Sequence, residues 1–243
     1  MARPSSANDA LQRIKRFYKT VTVEAVDGGF GVALDGRVMK TPGKAVLCLP
    51  TEAAGRMVAD EWAAQSEYIV FPEMPATRHA YTAIDRVAAV RREVAEEVGR
   101  YAGSDLLCYF AEAPAALVER QLRAWEPVLD WAESALDLKF VRAAGISPQA
   151  QPPQTMLRVE ALALDLDDFR LAALAYAGAL FGSSVLALAL TQGRLTGEEA
   201  FTLSRLDEAF QEEQWGIDAE AAERTEQLRG EALVLERWLA ALR

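Results

Sequence analysis

Few residues in this chain are of a type that does chemistry, and their spacing suits none of the common arrangements. The single histidine, His79, lies in the stretch MPATRHAYT. A lone imidazole acts as a general base only with a nucleophile or an orienting group in reach, and the neighbouring sequence supplies neither. Cys48 and Cys108 are sixty residues apart and form no CxxC pair. They read as reduced thiols that behave as small buried hydrophobes. One histidine and two distant cysteines also make a poor zinc site. HExxH, GKS/T and GxSxG patterns are missing. Gly29-Phe30-Gly31 opens like a dinucleotide fingerprint, but Leu34 stands where the third glycine belongs and no helix pattern follows.

Carboxylates are plentiful and fall into two groups. Asp165, Asp167 and Asp168 lie just before an apolar helical stretch. Helix capping and dipole complementation explain them better than calcium, whose loop needs a longer ladder of ligands and a glycine at its turn. Asp207, Glu208, Glu212 and Glu213 sit in SRLDEAFQEEQWG, beside Phe210 and Trp215. Two of these acids could pair for hydrolysis, and a hydrolase acting through residues 207–213 is the alternative to a purely binding role.

The elements that must position these residues follow from periodicity. Residues 17–49 alternate as strands: YKTVTVEAV, FGVAL, RVMK and AVLCL, separated by Asp27-Gly28-Gly29, Asp35-Gly36 and Thr41-Pro42-Gly43. This pattern predicts a four-stranded antiparallel meander, with YIVF at 68–71 a possible fifth strand. From Thr51, a suitable N-cap, Met57, Val58, Glu61, Trp62 and Gln65 recur on one helix. The two prolines of FPEMPATRH suggest a linker, which places a β-rich domain at 1–75 and a helical one at 76–243. Within the second, helices are predicted over 77–102, 114–125, 127–138, 154–164, 167–191, 197–214 and 218–242. Pro114 and Pro127 start two of them, and Thr196 with Glu199 makes a capping box. AAGISPQAQPPQ reads as a long loop. Leu228, Ala232, Leu235, Leu239 and Leu242 form an apolar stripe along the last helix. The fold class is therefore α+β, a small antiparallel β-rich domain followed by a larger all-helical bundle.

Leu171–Leu190 holds twenty residues without a charge. Its length would allow a membrane span, and Gly178 with Gly182 gives a GxxxG spacing. Gly182-Ser183-Ser184 in its middle, the acidic tail behind it and the missing aromatic anchors favour a buried central helix instead, with no membrane insertion. The formal net charge of −10 argues against nucleic acid. Charge is unevenly spread: residues 1–50 carry eight Lys/Arg against four Asp/Glu, and residues 196–243 carry twelve acids against five bases. The N-terminal MARPSSANDALQRIKRF lacks the apolar stretch of a secretory signal.

Several blocks taken in order resemble a known family. They are RFYK (16–19), LDGR…KTP (34–42), DEW (60–62), MPATRHAYTAIDR (74–86), YAGSDLLCY (101–109), WEPVLDW (125–131) and SRLDEAFQEEQWG (204–216). Together they are similar to the ATP-twelve family, the assembly chaperones of F-type ATP synthase, from Arg16 to about Glu226. The resemblance implies a non-enzymatic protein without cofactor or ATP, working in the bacterial cytoplasm or the mitochondrial matrix. Its partner would be the unassembled α subunit, kept from aggregating until it meets β. It also implies a functional acid in the last block, which maps to Asp207 with Glu208 beside it. On that face Gln211 and Trp215 complete the candidate partner contacts, while Leu203, Leu206 and Phe210 hold the helix to the core at i, i+3 and i+7. Trp62 is a second sensitive position of the family. It reads as a packing residue whose loss would destabilise by ~3–5 kcal/mol, and Trp125, Trp131 and Trp238 read likewise.

Overall fold

In the computed structural model, residues 14–145, 149–216 and 218–243 are described. The N-terminal lead-in up to residue 13 and positions 146–148 of the expected long loop lie outside them. The chain forms two compact units, one comprising residues up to Asp85 with Ala241–Arg243, the other Arg86–Ala240.

The first unit is built on strands β1 (Val21–Val26), β2 (Gly29–Leu34), β3 (Arg37–Val38) and β4 (Cys48–Leu49). β1 and β2 pair antiparallel from Val21↔Leu34 to Val26↔Gly29. Asp35 and Gly36, both at positive φ, close the two-residue turn into β3. The expected meander is corrected at β4. It pairs with β2, Phe30↔Leu49 and Gly31↔Cys48, so β3 and β4 share one edge of β2. Residues 68–71 give no fifth strand, only the bridge Lys15↔Tyr68 followed by a 3-10 turn at Phe71–Glu73.

Helix α1 (Glu52–Ala64) starts at Thr51, whose hydroxyl accepts the Ala54 N–H, as anticipated. Ala54, Val58 and Trp62 are buried at i, i+4 and i+8. Gly55 lets the helix lie close on β1, since a Cβ there would meet Val23 Cγ1 at 3.1 Å. Helix α2 (Pro75–Asp85) belongs to this unit, ten residues beyond the split at 75/76 read from the prolines. Pro75 opens a helix here. The Glu61 carboxylate accepts the N–H groups of Ala76 (2.6 Å) and Thr77 (2.8 Å) and the Thr77 hydroxyl (2.7 Å). At the other end Asp85 accepts the Thr41 hydroxyl (2.5 Å) and the Gly43 N–H (2.8 Å). Both ends of α2 are thus bonded to elements of the β-rich unit.

The second unit contains α3 (Arg91–Ala102), α4 (Ala115–Leu136), α5 (Pro153–Leu164), α6 (Asp168–Phe181), α7 (Ser184–Thr191), α8 (Gly197–Ser204), α9 (Leu206–Trp215) and α10 (Ala219–Ala241). It also holds a short parallel pair, β5 (Tyr109–Phe110) with β6 (Ala143–Ala144), which the pattern did not announce. Helix boundaries differ from expectation in four places. The helix foreseen over 77–102 breaks into α2 and α3 at a 3-10 turn, Val87–Ala89. Those foreseen on either side of Pro127 are one helix, because the ring is exposed and only one backbone bond is forfeited there. The 197–214 helix breaks at Arg205, where the Ser204 hydroxyl bonds back to the Phe201 carbonyl at 2.8 Å.

The apolar run 171–190 breaks at Gly182, which takes φ +63° and ends α6. Ser183 then caps α7 by accepting the Leu186 N–H at 3.0 Å. Among the described residues, no helix is long and apolar enough to cross a membrane. Every residue of α7 from Ser184 to Leu190 is buried, so the run is apolar all round because it forms the centre of the unit. Trp125 and Trp238 are fully buried, whereas Trp131 is partly exposed. Of the two thiols, Cys108 is buried and Cys48 only partly so.

Candidate functional site

The Arg205 break starts a new helix at Leu206, and this sets the acids of SRLDEAFQEEQWG. Asp207 and Glu208 fall in the first turn of α9, where the helix dipole favours negative charge. Leu206 is 6% exposed and anchors the helix. Leu203 is on α8 instead, so the anticipated i, i+3, i+7 stripe does not run through it, and Phe210 is partly exposed. Gln211 is exposed, and Trp215 is 79% exposed at the end of α9.

Asp207 is held by residues distant in sequence. Its Oδ1 accepts Gln121 Nε2 at 2.7 Å, and the Gln121 Oε1 accepts the Ala111 N–H at 2.7 Å. Gln121 is fully buried on α4, so its amide acts as a rigid strut between the segment after β5 and α9. Burial pushes the Asp207 carboxyl above its ordinary range, the Gln121 bond opposes this, and the Glu208 charge adds to it. Neighbouring arginines are already committed: Arg205 Nη1 to Glu208 at 2.8 Å and Arg120 Nη1 to Glu213 at 2.8 Å. Among the described residues no cation pairs with Asp207.

The carboxylate lines a groove of about 840 Å³. Leu106, Tyr109, Phe110 and Ala113 supply its apolar wall, and Glu112 adds a second acid. A neighbouring cavity of about 380 Å³ shares Ser104, Leu106 and Tyr109 and includes Arg205 and Glu208. Asp207 lines one hollow and Glu208 the other, each engaged with its own partner. A hydrolytic carboxylate pair would instead have to flank one substrate bond.

The segment bearing Leu106 and Tyr109 is fixed from beneath by Asp105, which is fully buried. Its carboxylate accepts the Ser183 hydroxyl (2.7 Å) and the N–H groups of Val185 (3.0 Å) and Leu107 (3.1 Å). Burial nevertheless raises its pKa to about 6, outweighing these donors. The start of α7 and the floor of the groove are therefore tied to one carboxylate.

Residues 15–133 match the family of ATP12 chaperone proteins. The mitochondrial protein atp12 of Schizosaccharomyces pombe is 25% identical over 222 residues, covering 86% of this chain and 76% of its own length. The crystal structure of Atp12 from Paracoccus denitrificans is 41% identical, with a TM-score of 0.89, over 94% of this chain and 98% of that one. The chain belongs to the ATP12 chaperone family. An aspartate-to-lysine mutant of the Paracoccus protein superposes equally well, with a TM-score of 0.89 at 40% identity over 94% of this chain and 98% of that one.

In this ATP12 chaperone Asp207 of α9 is thus brought to an apolar groove, and the groove residues are those that reading by helix faces missed. Leu106 and Tyr109 belong to the block YAGSDLLCY, which carried the resemblance without revealing a role. Gln121 gave no signal at all, since a glutamine in a helix is ordinarily solvated. The remaining candidates sit elsewhere. His79 lies on α2 in the first unit, where burial and then Arg78 push its imidazole down to about 4. Asp167 takes the capping role anticipated for this trio, accepting the Phe169 and Arg170 N–H groups at 2.9 and 3.0 Å, whereas Asp168 pairs with Arg91 and Asp165 stands at the end of α5. No three metal-ligating side chains cluster among the described residues. Trp62 is 4% exposed and stacks edge-on against Phe71, with the Tyr18 hydroxyl donating to its carbonyl at 2.6 Å.

Proposed function

We propose that this ATP12 chaperone binds the unassembled α subunit of F-type ATP synthase and keeps it from aggregating until β takes its place. The observation that carries the reading is Asp207, a half-buried carboxylate set in an apolar groove and without a cation partner among the described residues. A desolvated charge of this kind is a ready site for an arginine or lysine on a partner. The apolar wall formed by Leu106, Tyr109 and Phe110 covers apolar surface that α would otherwise expose. Glu208, Gln211 and Trp215 extend the same helix outward and complete the contact face. No nucleotide is needed: the chaperone yields α when β competes for the covered surface. Its place of work is the compartment where catalytic heads are assembled, the cytoplasm of a bacterium or the matrix of a mitochondrion.

Pull-down of α from a lysate tests the reading. Tagged wild-type chain should retain α, and Asp207→Lys, which replaces attraction by like-charge repulsion, should retain at least about tenfold less. Added β should release α from the wild-type complex. Absence of α from every eluate would remove the assignment. Equal recovery by both variants would remove Asp207 from the contact while leaving the partner in place.

A further inference from the structure

The groove at Asp207 does not end with its own hollow. Ser104, Leu106 and Tyr109 line both it and the neighbouring cavity of about 380 Å³, so two compartments adjoin along one shared wall. That wall is held from several directions. The Asp105 carboxylate beneath it accepts the Leu107 N–H at 3.1 Å and the Ser183 hydroxyl at 2.7 Å, and the Leu106 N–H donates to the Gly182 carbonyl at 3.1 Å. Asp207 is fixed in turn by the buried amide of Gln121 at 2.7 Å. A partner therefore meets a preformed surface and loses little free energy to ordering it.

The two compartments differ in charge. In the first, Asp207 and Glu112 are both acids, and among the described residues neither is paired with a cation. Gly145 gives the second acid its room, since a Cβ there would stand 3.0 Å from Glu112 Cδ. In the second compartment the one acid, Glu208, is engaged with Arg205 at 2.8 Å. Leu180, Phe181, Phe201 and Leu228 supply the rest of its wall. A half-buried unpaired carboxylate favours an entering cation, whereas an apolar compartment with its charges balanced would desolvate a cation without repaying it. The first compartment suits a basic side chain and the second an apolar one.

Resting on the reading of the groove as a partner site, we infer that the two compartments together read a two-residue signature on a partner polypeptide. One arginine or lysine enters beside Asp207 and Glu112. One apolar side chain, close by in the same segment, enters between Leu180, Phe201 and Leu228. Leu106 and Tyr109, on the shared wall, pack against the chain that joins the two. Specificity then comes from the pair, because either side chain alone fills one compartment and leaves the other solvated.

The test uses the full chain and short blocked peptides of alanine and serine that carry one arginine and one leucine, separated by one to four residues. Calorimetry should show saturable binding for at least one spacing. In that peptide, replacing arginine by glutamine or leucine by serine should each weaken binding about fivefold or more. Asp207→Asn should erase the advantage of the arginine and leave that of the leucine, and Leu228→Ser should cut the advantage of the leucine and leave that of the arginine, as double-mutant cycles report. Both variants are mild: the asparagine can keep the Gln121 bond, and Leu228 is partly exposed. No binding at any spacing, or losses in the two variants that are indifferent to the peptide's side chains, would overturn the inference. So would self-association of the wild-type chain that Asp207→Asn abolishes, which would give the groove to a second copy. Recovery of α is read separately. Peptide coupling without α recovery keeps the signature and removes α as its bearer, whereas α recovery without peptide coupling keeps the partner and overturns the signature.

Discussion

Asp207 is a half-buried and Asp105 a fully buried carboxylate of the second unit, and they answer substitution differently because their partners differ. Asp207 touches Gln121 through one oxygen, so Asp207→Asn can keep that bond and remove only the charge. Stability should change by less than about 1 kcal/mol, while on the proposed function affinity for α should fall about tenfold or more. The raised pKa adds a pH signature: acidification protonates Asp207 earlier than an ordinary aspartate and should weaken wild-type binding. The Asp207→Asn variant, lacking the titrating group, should lose that part of the dependence, which binding assays at pH 7.5 and 5.5 would show. Asp105 faces donors on every side, the Ser183 hydroxyl and two N–H groups. In Asp105→Asn the new amide N–H groups oppose donors, and we expect a loss of about 2–4 kcal/mol in urea unfolding. At this scale the carboxylate could be singled out in the sequence as a candidate through the resemblance, but its setting could not. The Gln121 strut of Asp207 is 86 positions away and nothing local encodes it.

At the scale of elements, two glycines show why helix breaks resist reading from composition. Gly182 ends α6 at φ +63°, with nothing within 4 Å of where a Cβ would stand. Gly182→Ala therefore meets only the backbone penalty of a left-handed residue, about 1–2 kcal/mol. Gly197 has no such strain, but its Cβ would lie 2.4 Å from the Ala232 carbonyl oxygen of α10. Its N–H also donates to Glu236 at 2.7 Å. Gly197→Ala should force α8 away from α10 and cost about 1–3 kcal/mol through overpacking. Chemical denaturation of the two variants, with partner binding measured alongside, separates these causes. Thr51, Asp167, Thr196 and Asp35-Gly36 were legible because caps and tight turns are local chemistry. The extent of α2, the continuity of α4 and the pairing of β4 with β2 were not. They depend on Glu61, on an exposed proline ring and on a strand returning past β3.

For the whole molecule, alternation in the first fifty residues and helical periodicity beyond them sufficed for the α+β class. What that pattern could not foretell is that acid should act on the two units in opposite directions. His79, in the first unit, is held at about 4 against an ordinary value near 6.5, so the native state binds fewer protons than the unfolded chain. Stability from this group is lost as pH falls from about 6.5 towards 4, by roughly 2 kcal/mol between pH 7 and 5. Glu61, in the same unit, has a raised pKa and offsets part of that loss at the acid end. Asp105 in the second unit is raised to about 6 from 3.8, so here the native state binds the proton first. Its ionisation penalty is relieved as pH drops through 6, a gain of about 1 kcal/mol over the same interval. Native-state hydrogen exchange at pH 7 and 5, corrected for intrinsic rates, reads each unit separately. Protection in α1 and α2 should fall on acidification while protection in α6 and α7 rises. His79→Phe should abolish most of the fall and leave the rise intact, and parallel movement of both units in the wild type would refute this division of the titration.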